Sequence, residues 1–110
     1  LIEKINIFRA AIKNNNITTF IYYSSKGVTK RIIEPYYITF RWSAWYVFGF
    51  CIEKQDFRLF KLNRLWNIAV DDASFSPRDI PLEKYNLDLH SYLILFLFFY
   101  LIDEKINLIE

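Results

Sequence analysis

Two strings, Ala44-Trp45-Tyr46-Val47-Phe48-Gly49-Phe50-Cys51 and Asp56-Phe57-Arg58-Leu59-Phe60-Lys61-Leu62-Asn63-Arg64, decide how this chain folds. Each is dense in aromatic and branched side chains, as β-strands are, and the second sets cations between its apolar residues. Outward from them, Ala44 to Glu53 and Phe57 to Leu62 read as strands, preceded by a turn at Arg41-Trp42-Ser43. Further upstream, Val28 to Phe40 reads as a strand interrupted or edged at Pro35, because proline has no N–H to donate to a ladder. Ser24-Ser25-Lys26-Gly27 reads as a hairpin turn in which Gly27 takes positive φ, and Ile17 to Tyr23 as the strand before it. Ile2, Ile5, Phe8 and Ile12 fall at helical spacing until Asn14-Asn15-Asn16 stops the pattern, which predicts a helix over 2–13. Downstream, Arg64 to Val70 is a final strand or a short helix.

One helix followed by about five antiparallel strands predicts a mainly β (α+β) fold, a small, partly closed antiparallel barrel rather than a parallel sheet. The expected division is a lead-in helix over 1–16, a barrel over 17–70 and a C-terminal extension over 71–110. In that extension the pattern changes: Ser76-Pro77 opens a short helix or turn through Tyr85, and the tail is irregular or helical, or a buried strand pair. Leu1 falls inside the helical pattern and Met is missing altogether, so the chain reads as a fragment with a truncated extension.

At 110 residues, 54% of them hydrophobic, the chain has material for one small core and is too apolar to be disordered. The single cysteine rules out an internal disulfide, and the first 14 residues carry no signal-peptide pattern, so a cytoplasmic location is expected. The longest apolar run, Tyr92 to Ile102, is eleven residues, short of the roughly 18–20 that span a bilayer; no membrane partner is expected. Charge is uneven. Residues 26–64 hold eight cations against three acids, whereas 71–110 hold three cations against eight acids. A basic middle of this kind binds an anion locally without a high overall pI, although it is also what a chance excess of a few charges looks like.

Catalysis has little to stand on. With His90 the only histidine and Cys51 the only cysteine, neither a Cys/His metal spacing nor an imidazole-assisted nucleophile can be drawn, and Gly27 and Gly49 stand too far apart for a phosphate loop. Asp71-Asp72 reads as a solvated loop, Cys51 as a buried inert thiol, and His90 as a surface or capping residue. No enzyme and no cofactor are expected. The one functional signal is aromatic–basic interleaving, since unpaired bases stack on exposed rings while nearby cations hold their phosphates. Strand alternation separates Arg58, Phe60 and Leu62 from Phe57, Leu59 and Lys61, so both faces are mixed. On composition alone, packing is the better reading of Trp45, Phe48, Phe50 and Phe60.

In order and spacing, Ile21-x-Tyr23, the Gly27 turn, Thr29-x-Arg31, Pro35-Tyr36, Trp45-Tyr46-Val47, and Arg58-x-Phe60 with Arg64 resemble the WYL domain of bacterial helix-turn-helix transcriptional regulators. The domain is named for a Trp-Tyr-Leu run, here Trp45-Tyr46-Val47. The resemblance covers about Ile17 to Val70 and implies an Sm-like or SH3-like barrel. It also implies a sensor that binds a nucleotide or single-stranded nucleic acid and controls a DNA-binding partner domain. Carried onto this chain, the implied ligand residues are Thr29, Arg31, Tyr36, Tyr46, Arg58 and Arg64. Arg58 and Arg64 would meet phosphates, Arg31 a phosphate or base edge, and Tyr36 or Tyr46 would stack, with Trp45 in the core. Two departures stand out: no helix-turn-helix precedes the domain here, and the tail Tyr92 to Tyr100 is unusually apolar. The alternative is a non-catalytic dimerisation or protein-interaction module, a homodimer whose interface is that tail.

Overall fold

Helical spacing at the N-terminus becomes α1, Ile2–Lys13, which buries Phe8 and Ala11. The computed structural model describes residues 1–81. The helix stops at Asn14, and Asn15 follows at a φ of 52°, a left-handed conformation that asparagine tolerates better than most side chains. Five strands come next: β1 (Asn16–Ser24), β2 (Gly27–Arg41), β3 (Ala44–Cys51), β4 (Asp56–Lys61) and β5 (Leu65–Ser74). A 3-10 turn, Leu62–Arg64, joins the last two. Leu1–Pro77 forms one compact unit. Of the second, Arg78–Glu110, only residues 78–81 are described, and these are neither helix nor strand. His90 and the apolar tail fall outside the described residues, as does most of the helix or turn expected through Tyr85.

All pairings are antiparallel, in the order β4-β3-β2-β1-β5. The mainly β expectation therefore holds, as a five-stranded sheet with an N-terminal helix. The ladder itself is open, with β4 and β5 as its edges and the 3-10 turn linking them. It is nonetheless curled. Phe60 of β4 and Phe20 of β1, whose strands are three places apart in the sheet, bring their rings to 5.2 Å. The backbone N–H of Lys61 also donates to the phenol oxygen of Tyr22 at 3.2 Å.

Curvature enters β2 at a bulge. Pro35 lies opposite Gly49 and Tyr37 opposite Phe48, which leaves Tyr36 as the extra residue. Here a proline is tolerated in a central strand, buried rather than at an edge, because the ladder is already interrupted. Gly49 is what lets the kinked strand approach. A Cβ there would lie 2.8 Å from the Glu34 carbonyl oxygen and 2.9 Å from Ile33 Cδ1.

Residues facing each other across a ladder project to the same side of a sheet, so register sorts the core. One side carries Phe20, Ile33, Ile38, Val47, Cys51 and Phe60, all buried, with Phe8 of α1 packed edge-on against Phe20 at 6.1 Å. The other carries Phe48, Phe50 and Phe57, also buried, with Phe57 stacked on Phe48 at 5.3 Å and 2° between ring planes. Burial on both sides explains why β3 reads as a continuous apolar run rather than an alternating one. Phe48, Phe50 and Phe60 are thus core residues, and Cys51 is a fully buried thiol.

Three sequence readings change. Trp45 is half-buried with its ring tilted against the exposed Phe40 at 5.1 Å, because it lies one pair from the end of the β2–β3 hairpin, beyond the reach of the core. Arg64 closes the 3-10 turn instead of starting the last strand. Asp71 and Asp72 are solvated but lie on β5, which pairs with β1 and runs on to Ser74. Helix α1 is tied to this end of the sheet by Lys4, whose Nζ donates to the Leu62 carbonyl at 3.0 Å and sits 3.7 Å from the centre of the Trp66 ring. Partial burial there lowers the Lys4 pKa from 10.5. Among the described residues, no helix is long and apolar enough to cross a membrane.

Candidate ligand-binding site

Arg31 has the least satisfied environment of the six expected residues. It lies on β2 opposite Phe20 of β1, on the side of the sheet that holds Ile33, Cys51 and Phe60. The side chain is half-buried, and its Nε is enclosed with no hydrogen-bond acceptor. A buried guanidinium N–H without an acceptor carries an unrecovered desolvation cost. Thr29, two residues earlier on the same strand and side, is exposed opposite Tyr22. Arg58 is exposed on edge strand β4 opposite Gly49, which is itself opposite Pro35 of β2. Register therefore puts Thr29, Arg31 and Arg58 on one side.

Tyr46 belongs to the other side. It lies between Thr39 of β2 and Lys61 of β4, half-buried, with its ring edge-on to Trp42 at 5.7 Å. Arg64 follows three residues after Lys61, exposed at the end of the 3-10 turn. Tyr36, the bulge residue, is held firmly: its hydroxyl donates to Glu34 Oε1 at 3.0 Å, and its ring meets Phe57 at 5.6 Å and Phe75 at 5.5 Å. The six residues thus fall into a group of three on one side, Tyr46 near the hairpin end, Arg64 in the 3-10 turn, and one immobilised ring.

Two neighbours of Tyr46 lie outside the six expected residues. Trp42, in the turn read at Arg41-Trp42-Ser43, is 73% exposed, the most exposed of the large hydrophobic side chains described. Its signal was positional, since a tryptophan between two strands in a two-residue turn has no core to enter. Lys61 is one of the eight cations of residues 26–64, and its pairing with Tyr46 depends on a register that the sequence does not display. Among the described residues, no group of His, Cys, Asp and Glu side chains could hold a metal ion.

The chain is thus a curled five-stranded antiparallel sheet with a helix packed on one side, the side that also carries Arg31. Its family follows from comparison. The WYL domain profile matches residues 3–70, and the chain belongs to that family. Among curated sequences it is 37% identical over 91 residues to the uncharacterised HTH-type transcriptional regulator YobV of Bacillus subtilis (strain 168), covering 82% of this chain and 28% of that protein. The chain thus spans less than a third of the relative it matches. Among solved structures it is similar in fold to proteasome accessory factor B/C (PafBC) of Arthrobacter aurescens, with a TM-score of 0.64 and 23% identity over 73% of this chain and 14% of that one.

Proposed function

We propose that this chain is the ligand-sensing portion of a bacterial transcriptional regulator, binding a nucleotide or single-stranded nucleic acid through a basic–aromatic surface. The observation that carries the reading is the grouping of half-buried Arg31 with exposed Thr29 and Arg58 on one side of the sheet. A phosphate is an acceptor of the right charge and geometry for guanidinium groups. Arg58 and Arg64 add exposed cations, the Thr29 hydroxyl a hydrogen-bonding group, and Tyr36 and Tyr46 rings already oriented by their neighbours. In this reading the curled sheet serves as the family's small Sm-like barrel. Regulation of transcription rests on the family and on the name of the Bacillus subtilis relative. A regulator of that kind works in the cytoplasm, and sensing requires no chemistry of its own.

Fluorescence polarisation of a short labelled single strand at two salt concentrations tests it. If Arg31, Arg58 and Arg64 each neutralise a phosphate, log K against log salt has a slope of roughly −2. Arg58→Ala with Arg64→Ala abolishes most of the binding without changing the oligomeric state. Failure of the folded protein to bind either an oligonucleotide or a mononucleotide would overturn the proposal.

A further inference from the structure

The β2–β3 hairpin ends in a two-residue turn, Trp42-Ser43, closed by Arg41 opposite Ala44. Both turn residues have positive φ, 49° at Trp42 and 60° at Ser43. Such turns are met at least cost by Asn-Gly or Asp-Gly, and a bulky side chain in the left-handed region is strained. The strain gains no burial in return, because Trp42 is 73% exposed. Instead the indole is fixed in place, edge-on to Tyr46 at 5.7 Å and with the Arg41 guanidinium 5.8 Å from its ring. Lys61 of β4 lies opposite Tyr46. An exposed, oriented ring in a strained turn, flanked by cations, is a stacking platform for an unpaired base whose phosphates run beside it.

Resting on the proposed function, we infer that the hairpin end is a second contact site, in which Trp42 stacks a base while Arg41 or Lys61 meets the adjoining backbone. The ligand is then a single strand of several nucleotides, not a mononucleotide. Gly49, level with Arg58, and Ala44, at the base of the turn, are five residues apart along β3, about 17 Å. One nucleotide does not bridge that span. A strand does, by passing over edge strand β4, which carries Arg58 on one side and Lys61 on the other.

The test compares the full chain with Trp42→Asn and Trp42→Tyr, using a labelled oligothymidylate of about twelve nucleotides and thymidine monophosphate as ligands. Asparagine suits the positive φ, so the first variant removes the ring without disturbing the turn. Trp42→Asn weakens oligonucleotide binding about tenfold and leaves mononucleotide binding unchanged, while Trp42→Tyr recovers most of the loss. Equal oligonucleotide affinity in Trp42→Asn and the parent chain would overturn this inference and leave the sensing function intact. So would a mononucleotide that binds as tightly as the oligonucleotide. Binding of neither ligand by the parent chain would overturn both.

Discussion

Gly49 faces Pro35 across the β2–β3 ladder, and a Cβ on Gly49 would lie only 2.8 Å from the carbonyl oxygen of Glu34. The obstructing atom is backbone, which has no rotamer through which to move aside. Gly49→Ala therefore pushes β2 away at its bulge and is expected to cost about 1–3 kcal/mol, as overpacking of a close-fitted interior does. Urea unfolding checks it; a midpoint within error of the parent would mean that the bulge yields freely.

Phe20 holds the curl together. Its ring meets Phe8 of the helix at 6.1 Å, Tyr22 at 6.3 Å and Phe60 of β4 at 5.2 Å. Truncating a fully buried ring leaves a cavity as well as losing its transfer free energy, so Phe20→Ala is expected to lose about 3–5 kcal/mol. Phe40→Ala, where half the side chain is already in water, is the contrasting control and loses far less.

Arg31 separates stability from binding. Replacing it with Met keeps an unbranched apolar stem and removes an enclosed N–H that has no acceptor. Because an unsatisfied buried donor costs about 1–3 kcal/mol, Arg31→Met is expected to hold or raise the urea midpoint. Affinity for an anionic ligand falls in the same variant. A less stable variant that still bound the ligand would place Arg31 among the structural residues.

Tyr36 and Glu34 form a pair within one strand, the hydroxyl reaching Oε1 at 3.0 Å beside a carboxylate that is only 5% exposed. Tyr36→Phe keeps the ring between Phe57 and Phe75 and removes one donor from a buried acceptor. About 1–2 kcal/mol of stability is expected to be lost, with ligand affinity changing less than in the arginine variants. A large affinity loss instead would assign the hydroxyl itself to the ligand.

How much of this was legible beforehand follows from the range of each interaction. Helix α1, the Gly27 turn and the succession of strands along the chain rest on local patterns, helical spacing closed by Asn14 and two short turns, and the sequence carried them, whereas the pairing of β5 with β1 is long-range. The order and spacing of Ile21-x-Tyr23, the Gly27 turn, Thr29-x-Arg31, Pro35-Tyr36, Trp45-Tyr46-Val47, and Arg58-x-Phe60 with Arg64 pointed to the WYL family. Side chains alternate about a strand, but which side meets a helix or another ring is decided by partners far along the chain. Only the folded register could therefore pair Tyr46 with Lys61, put Arg31 and Arg58 on the opposite side, and bury both Phe57 and Phe60. The bulge at Tyr36 is of the same kind, since it shifts every later β2 residue by one position, and nothing local to Pro35 announces the close approach of Gly49.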